Sequence, residues 1–103
     1  VDVNHLCILG KTEDLLNQGD IGDKWESFGW HVERVNGHSY SSIMKGFGVI
    51  GKTAGKPLVL IADTVKGKGI SFMEGVAMWH NRIPSEEQIT LANKDLEINS
   101  IKD

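Results

Sequence analysis

The chain has 103 residues, with eleven basic and fourteen acidic side chains and a formal net charge of -3. That length suits one small domain with a single two-layer core, and without a clustered basic surface nucleic acid is excluded as a partner. No apolar stretch approaches the roughly 20 residues that span a bilayer, and the N-terminus lacks the sections of a signal peptide, so no membrane role and a cytoplasmic location are expected.

The opening "VDVN" reads as the tail of a strand, followed by a loop through "HLCILG". Cys7 has apolar neighbours and no second cysteine to pair with, which predicts a buried thiol in a reducing compartment. In "KTEDLLNQ", Thr12 followed by two acids predicts the capped start of a short helix. A further helix starts at Asp20, with Ile21, Trp25 and Phe28 on one face and Gly29 at its end. "WHVERV" alternates as a strand does, and "NGH" is a turn.

From Ser39 the spacing is helical again, with Tyr40, Ile43, Met44, Phe47 and Ile50 on one face. Gly46 and Gly48 weaken that helix by about 1 kcal/mol each relative to alanine. "LVLIADTV" is apolar on both faces, as a central parallel strand covered by helices must be. The segment after it, "KGKGISFMEGVAMWHNRIP", is long for a loop, and loops of that length carry function or are disordered. Ser85 with Gln88 forms a capping box, and Ile89, Ala92 and Leu96 continue on one face. The order is strand, helix, strand, helix, strand, long loop, helix. It predicts an α/β fold, a parallel sheet with flanking helices whose ligands bind outside the carboxyl ends of the strands.

Residues 46–53, "GFGVIGKT", match the phosphate-binding pattern G-x-x-x-x-G-K-[ST]. That mechanism needs a strand before the loop and a helix after it, so that backbone amides converge on the phosphates. Here a helix runs in and a strand follows Pro57, so the match is rejected as a glycine-containing helix end.

Three places remain that can bind a ligand: Asn4 at a strand end, the loop "TVKGKGISF", and "WHN" at 79–81. A carboxamide oxygen suits Mg²⁺ beside phosphate groups, with the Leu6 carbonyl as a second donor, and His80 has a side chain that exchanges protons near neutral pH. Taken singly, each has a structural explanation. Asn favours turns for its own sake, Lys66 and Lys68 suit solvent, and a histidine beside Trp79 suits packing. His5, His31 and His38 share no metal-ligand spacing and are assigned structural roles.

Together the wording of "VDVNHLCILG", "DKWESFGWHVERVNGH", "KPLVLIADTVKGKGISFME" and "MWHNRIPSEEQ" resembles the N-terminal subunit of split transketolases, over nearly the whole chain. The resemblance implies the second half of a thiamine-diphosphate-binding domain, with residues 1–103 a partial domain whose upstream half lies outside the chain. It implies transfer of a two-carbon ketol unit between sugar phosphates, in metabolism of the pentose phosphate kind, with thiamine diphosphate and Mg as cofactors. Asn4 matches the family's side-chain Mg ligand, which also contacts the diphosphate, and Leu6 the position whose carbonyl binds the same ion. Ile8 matches an apolar residue against the cofactor. His80 is similar to the histidine that approaches the diphosphate and the reacting centre, and the glycines of "KGKG" let that loop fold closely.

Leu9, Asn36 and Asn81 depart from the family pattern, which has an acid before Gly10, an Asp-Gly-His-Asp turn and a glycine after the histidine. The family's Gly-Asp-Gly motif, with its aspartate ligand, is not within these residues. Nor is the glutamate that activates the cofactor, which the resemblance assigns to a C-terminal subunit in an oligomer. The isolated chain is therefore expected to be inactive. Two alternatives stay open: a thiamine-diphosphate synthase that condenses pyruvate with a sugar aldehyde, and a non-catalytic α/β interaction module.

Overall fold

A computed structural model of the chain describes residues 1–100, with side chains described as far as Glu97. The chain divides into two compact units, Val1–Asn4 with Leu16–Thr64 and His5–Leu15 with the residues from Val65 onward.

The first unit is a three-stranded parallel sheet with helices on both faces. Its strands are β1 (Asp2–Val3), β4 (His31–Asn36) and β5 (Leu58–Asp63), in the order β1-β5-β4. The apolar run expected in the middle of the sheet is indeed its central strand. Register pairs Leu60 with Glu33 and Ala62 with Val35, and on the other side Asp2 with Ala62 and Val3 with Asp63. Val59 and Ile61 point to one face, Leu58, Leu60 and Ala62 to the other. The buried apolar core consists of Val35, Val59 and Ile61, all in this sheet.

Helix α2 (Ile21–Ser27) begins where Asp20 accepts hydrogen bonds from the Gly22 and Asp23 amides, and Asp20 also pairs with Arg34 of β4. Gly22 is buried against the Arg34 side chain, which sets α2 on the Val59 face. Gly29 follows with φ of 84°, as the end of the helix requires. Trp25 and Trp30 meet edge to face at 4.9 Å between ring centres, whereas Phe28, expected on the inner face, is 82% exposed. Phe28 is the C-cap residue and already turns away from the helical register.

Helix α3 (Tyr40–Phe47) lies on the other face, and Ser39 caps it by accepting from the Ser42 amide. The expected apolar stripe is not its buried side: Tyr40, Met44, Phe47 and Ile50 are exposed. The helix seats through half-buried Ile43 and buried Gly46, where an added Cβ would stand 2.7 Å from Val35 Cγ1 and 2.9 Å from Leu60 Cδ2. The missing side chain brings the helix close to the sheet and rotates its larger apolar groups outward. The phosphate-loop match is structurally empty, since α3 runs into it and the next regular element is β5.

The second unit contains a feature read from sequence as loop. Leu6–Cys7 (β2) and Gly10–Lys11 (β3) form a small antiparallel hairpin, followed by the single turn α1 (Thr12–Leu15). Cys7 is exposed, correcting the expectation of a buried thiol. Alternation along β2 turns Leu6 inward and its neighbour outward. The long segment after β5 carries a short 3₁₀ helix, Ala77–His80. Helix α4 (Glu86–Ser100) starts at the expected capping box: Ser85 N–H donates to Gln88 Oε1 at 3.0 Å, and the Gln88 amide to Ser85 Oγ at 3.3 Å. Its more buried positions are Gln88, Ala92 and Asp95, while Ile89 and Leu96 are about half exposed, at 46% and 47%. No helix among the described residues is long and apolar enough to cross a membrane.

Candidate functional site

The carboxyl ends of all three parallel strands fall in one row, because Val3 and Asn36 are both in register with Asp63. The backbone there is closed by hydrogen bonds: Gly37 N–H to Asp63 O at 2.8 Å and Thr64 N–H to Val3 O at 3.1 Å. The Thr64 hydroxyl donates to the Asp2 carboxylate, and Asn36 Oδ1 receives the His38 amide at 2.9 Å. A Cβ on Gly37 would lie 3.1 Å from Asp63 O and 3.2 Å from Ala62 Cβ, so the turn after β4 sits tightly on the end of β5. Asn4 follows β1 at this edge and is half-buried. Asn36, Asp63 and Thr64 belong to the same row; Asp63 was not singled out from sequence, Asn36 was noted only as a departure from the family pattern, and Thr64 only as the start of the "TVKGKGISF" loop. The rule that ligands sit at strand carboxyl ends contained the signal.

His5, between Asn4 and Leu6, has φ of 59°. A residue with a Cβ in this left-handed region costs on the order of 1–3 kcal/mol, and such conformations cluster at ligand sites. The turn redirects the chain at once from β1 into the hairpin, and His5 O then receives the Thr12 amide at 3.0 Å. Leu6 opens β2 and is half-buried, while Ile8 lies in the hairpin turn and is 64% exposed.

Within the second unit β2 packs against the 3₁₀ helix that ends at His80, so the structure brings Leu6 and His80 to neighbouring elements. The His80 side chain is exposed. Trp79, just before it, donates its indole N–H to Phe72 O at 3.0 Å and meets the Phe72 ring at 5.2 Å between centres. In "KGKG", Gly67 has φ of 75° and a Cβ there would fall 2.6 Å from Met73 O, so the close fold expected of that loop is against its own return. Lys68 pairs with Glu74 at 3.2 Å, and Lys66 is half-buried.

Asn4 and Leu6 offer hard oxygen donors, a carboxamide and a main-chain carbonyl, which is the chemistry Mg²⁺ selects. Among the described residues no group of three or more His, Cys, Asp or Glu is placed to hold a metal ion. Asn4 and Leu6 each give a single oxygen donor, of the kind that takes a place in a Mg²⁺ shell of about six oxygens completed by phosphate, water and other protein ligands.

Residues 1–102 match the family described as transketolase, thiamine diphosphate binding domain. The chain is 41% identical over 96 residues to one of the subunits of apulose-4-phosphate transketolase from Phocaeicola vulgatus, covering 93% of this chain and 34% of that protein. It is 36% identical over 96 residues to the SqwG subunit of 6-deoxy-6-sulfo-D-fructose transketolase from Clostridium sp., covering 93% of this chain and 35% of the relative. To human transketolase it is 38% identical over 85 residues, 80% of this chain and 13% of that protein. The chain thus spans about a third of the length of the subunit relatives it matches.

Proposed function

The chain belongs to the transketolase thiamine-diphosphate-binding domain family, and from that premise we propose that, within its full-length subunit, it contributes to binding thiamine diphosphate through Mg²⁺ for transfer of a two-carbon ketol unit between sugar phosphates. The observation that carries this reading is Asn4 at the carboxyl end of a parallel strand, with the left-handed residue His5 directly after it. Thiamine diphosphate, when bound, supplies the electron sink for breaking and forming the carbon–carbon bond. Asn4 Oδ1 and the Leu6 carbonyl would hold the metal, and the exposed Ile8 side chain would lie against the cofactor. His80 would meet the diphosphate and exchange a proton at its imidazole.

Several relatives are themselves named as single subunits of a transketolase, which supports a partner subunit here, and to that partner we assign the activating glutamate, in an oligomer. The relatives named for apulose-4-phosphate support a sugar phosphate as a substrate. Isothermal titration of the full-length subunit with its partner tests the reading. Thiamine diphosphate is expected to bind only with Mg²⁺, and Asn4→Ala to weaken that binding at least tenfold. Binding that ignores Mg²⁺, or is untouched by the substitution, overturns it. Turnover assays then separate ketol transfer from condensation of pyruvate, since steady pyruvate consumption marks the synthase.

A further inference from the structure

The segment between β5 and the 3₁₀ helix is fastened rather than loose. Its base is closed by Gly75 N–H donating to Lys66 O at 2.9 Å, and Glu74 Oε1 receives the Gly69 amide at 3.0 Å as well as the Lys68 ammonium. A side chain from α4 also holds it. Asp95 Oδ2 accepts both the Ser71 amide, at 2.8 Å, and the Ser71 hydroxyl, at 2.7 Å. Two bonds from one residue to one charged acceptor fix the backbone and the side chain of Ser71 together. The next residue, Phe72, provides the carbonyl that receives the Trp79 indole N–H, and Trp79 precedes His80.

The 3₁₀ helix has no side-chain N-cap bond of its own. Besides its packing on β2 and its backbone bonds, it is held by the Trp79 anchor, where the indole is bonded to Phe72, packed edge-on against its ring and covered by the Arg82 guanidinium at 5.8 Å. The chain of contacts runs from Asp95 to Ser71, along the backbone to Phe72, across to Trp79 and so to His80. It also accounts for the polar inner side of α4, where the repeat of the sequence favoured Ile89 and Leu96.

We infer that Asp95 is a positioning residue for His80, acting through Ser71, Phe72 and Trp79 to fix the imidazole at the end of the 3₁₀ helix. The inference rests on the reading of His80 as a site residue. Small misplacements of a reacting group reduce turnover steeply, so Asp95→Ala is expected to lower kcat about tenfold with KM little altered. Asp95→Asn retains a carbonyl oxygen able to accept both Ser71 bonds and is expected to restore most of the rate.

The test uses the full-length subunit with its partner, ¹⁵N-labelled at tryptophan. The Trp79 indole N–H resonance is expected to move in Asp95→Ala and to stay in Asp95→Asn. In a His80→Ala background, Asp95→Ala is expected to cause no further loss of turnover. Trp79→Phe, which keeps an aromatic ring and removes the indole N–H, is expected to reproduce the loss should Asp95→Ala fold poorly. Multiplying losses in the double variant, or an unmoved indole resonance, overturn the inference and leave the His80 reading standing. Unchanged turnover in His80→Ala overturns the reading and the inference with it.

Discussion

Replacing Gly46 by alanine sets helix propensity against packing at the one place where α3 touches the sheet most closely. In the interior of a helix alanine is favoured over glycine by about 1 kcal/mol. The new methyl would stand 2.7 Å from Val35 Cγ1 and 2.9 Å from Leu60 Cδ2, against ordinary carbon contacts of about 3.5–4.0 Å. Val35 is 7% exposed and β-branched, so it has no open rotamer to swing into. Relief has to come from Leu60 leaving its well, at about 0.5–1.5 kcal/mol, or from α3 lifting off the sheet. Overpacking of this kind costs about 1–3 kcal/mol, which leaves a net loss of up to about 2 kcal/mol after the helix gain. Thermal unfolding of the full-length subunit, followed by circular dichroism, is expected to show a midpoint lowered by up to roughly 8 °C. In a Val35→Ala background the space is open and the same substitution is expected to be neutral or stabilising. A raised midpoint with Val35 intact would refute the close seating of α3.

The pH dependence of α2 is a second test. The Arg34 side chain, through its hydrogen bond, and then the Gly22 amide hold the Asp20 carboxyl below its ordinary value of 3.8. A depressed folded value means that the stabilisation is fully present above 3.8 and is lost as pH falls through the lower folded value. Asparagine keeps the cap but not the ion pair, so the midpoint advantage over Asp20→Asn is expected at neutral pH and should vanish in strong acid. Equal midpoints at neutral pH would sink the pairing. Cys7 offers a third, since its exposed thiol is expected to react readily with maleimide in the full-length subunit. Thiamine diphosphate with Mg²⁺ should slow that reaction, because the proposed donor Leu6 is its neighbour. Equal rates with and without the cofactor would count against the placement.

Elements whose pattern is long were legible in the sequence. β5 shows itself in five consecutive apolar residues, Leu58 to Ala62, buried on one face and half-buried on the other, and the capping box at Ser85 names both of its hydrogen bonds in advance. The hairpin at 6–11 was not legible, because strands of two residues are too short to display alternation. The buried side of α3 was misread because apolar spacing weighs what side chains are, whereas the helix docks where one is missing, at Gly46. α4 was misread for a related reason: Asp95 is held inward by Ser71, a partner far along the chain that no local period encodes. Of the candidate site, the strand-end position of Asn4 followed from the α/β order. The left-handed His5 did not, since nothing in "NHL" announces a positive φ.

The division into two units has a consequence for how the chain is made. Residues His5–Leu15 belong with the stretch from Val65 onward, yet everything from Leu16 to Thr64 emerges between them. Synthesis at about 5–20 residues per second leaves the hairpin waiting for several seconds without the 3₁₀ helix it packs against. The sheet of the first unit closes as soon as β5 has left the ribosome, because its central strand is also its last. Leu6 thus leaves the ribosome ahead of β4 and β5 but is seated after them, when the 3₁₀ helix arrives.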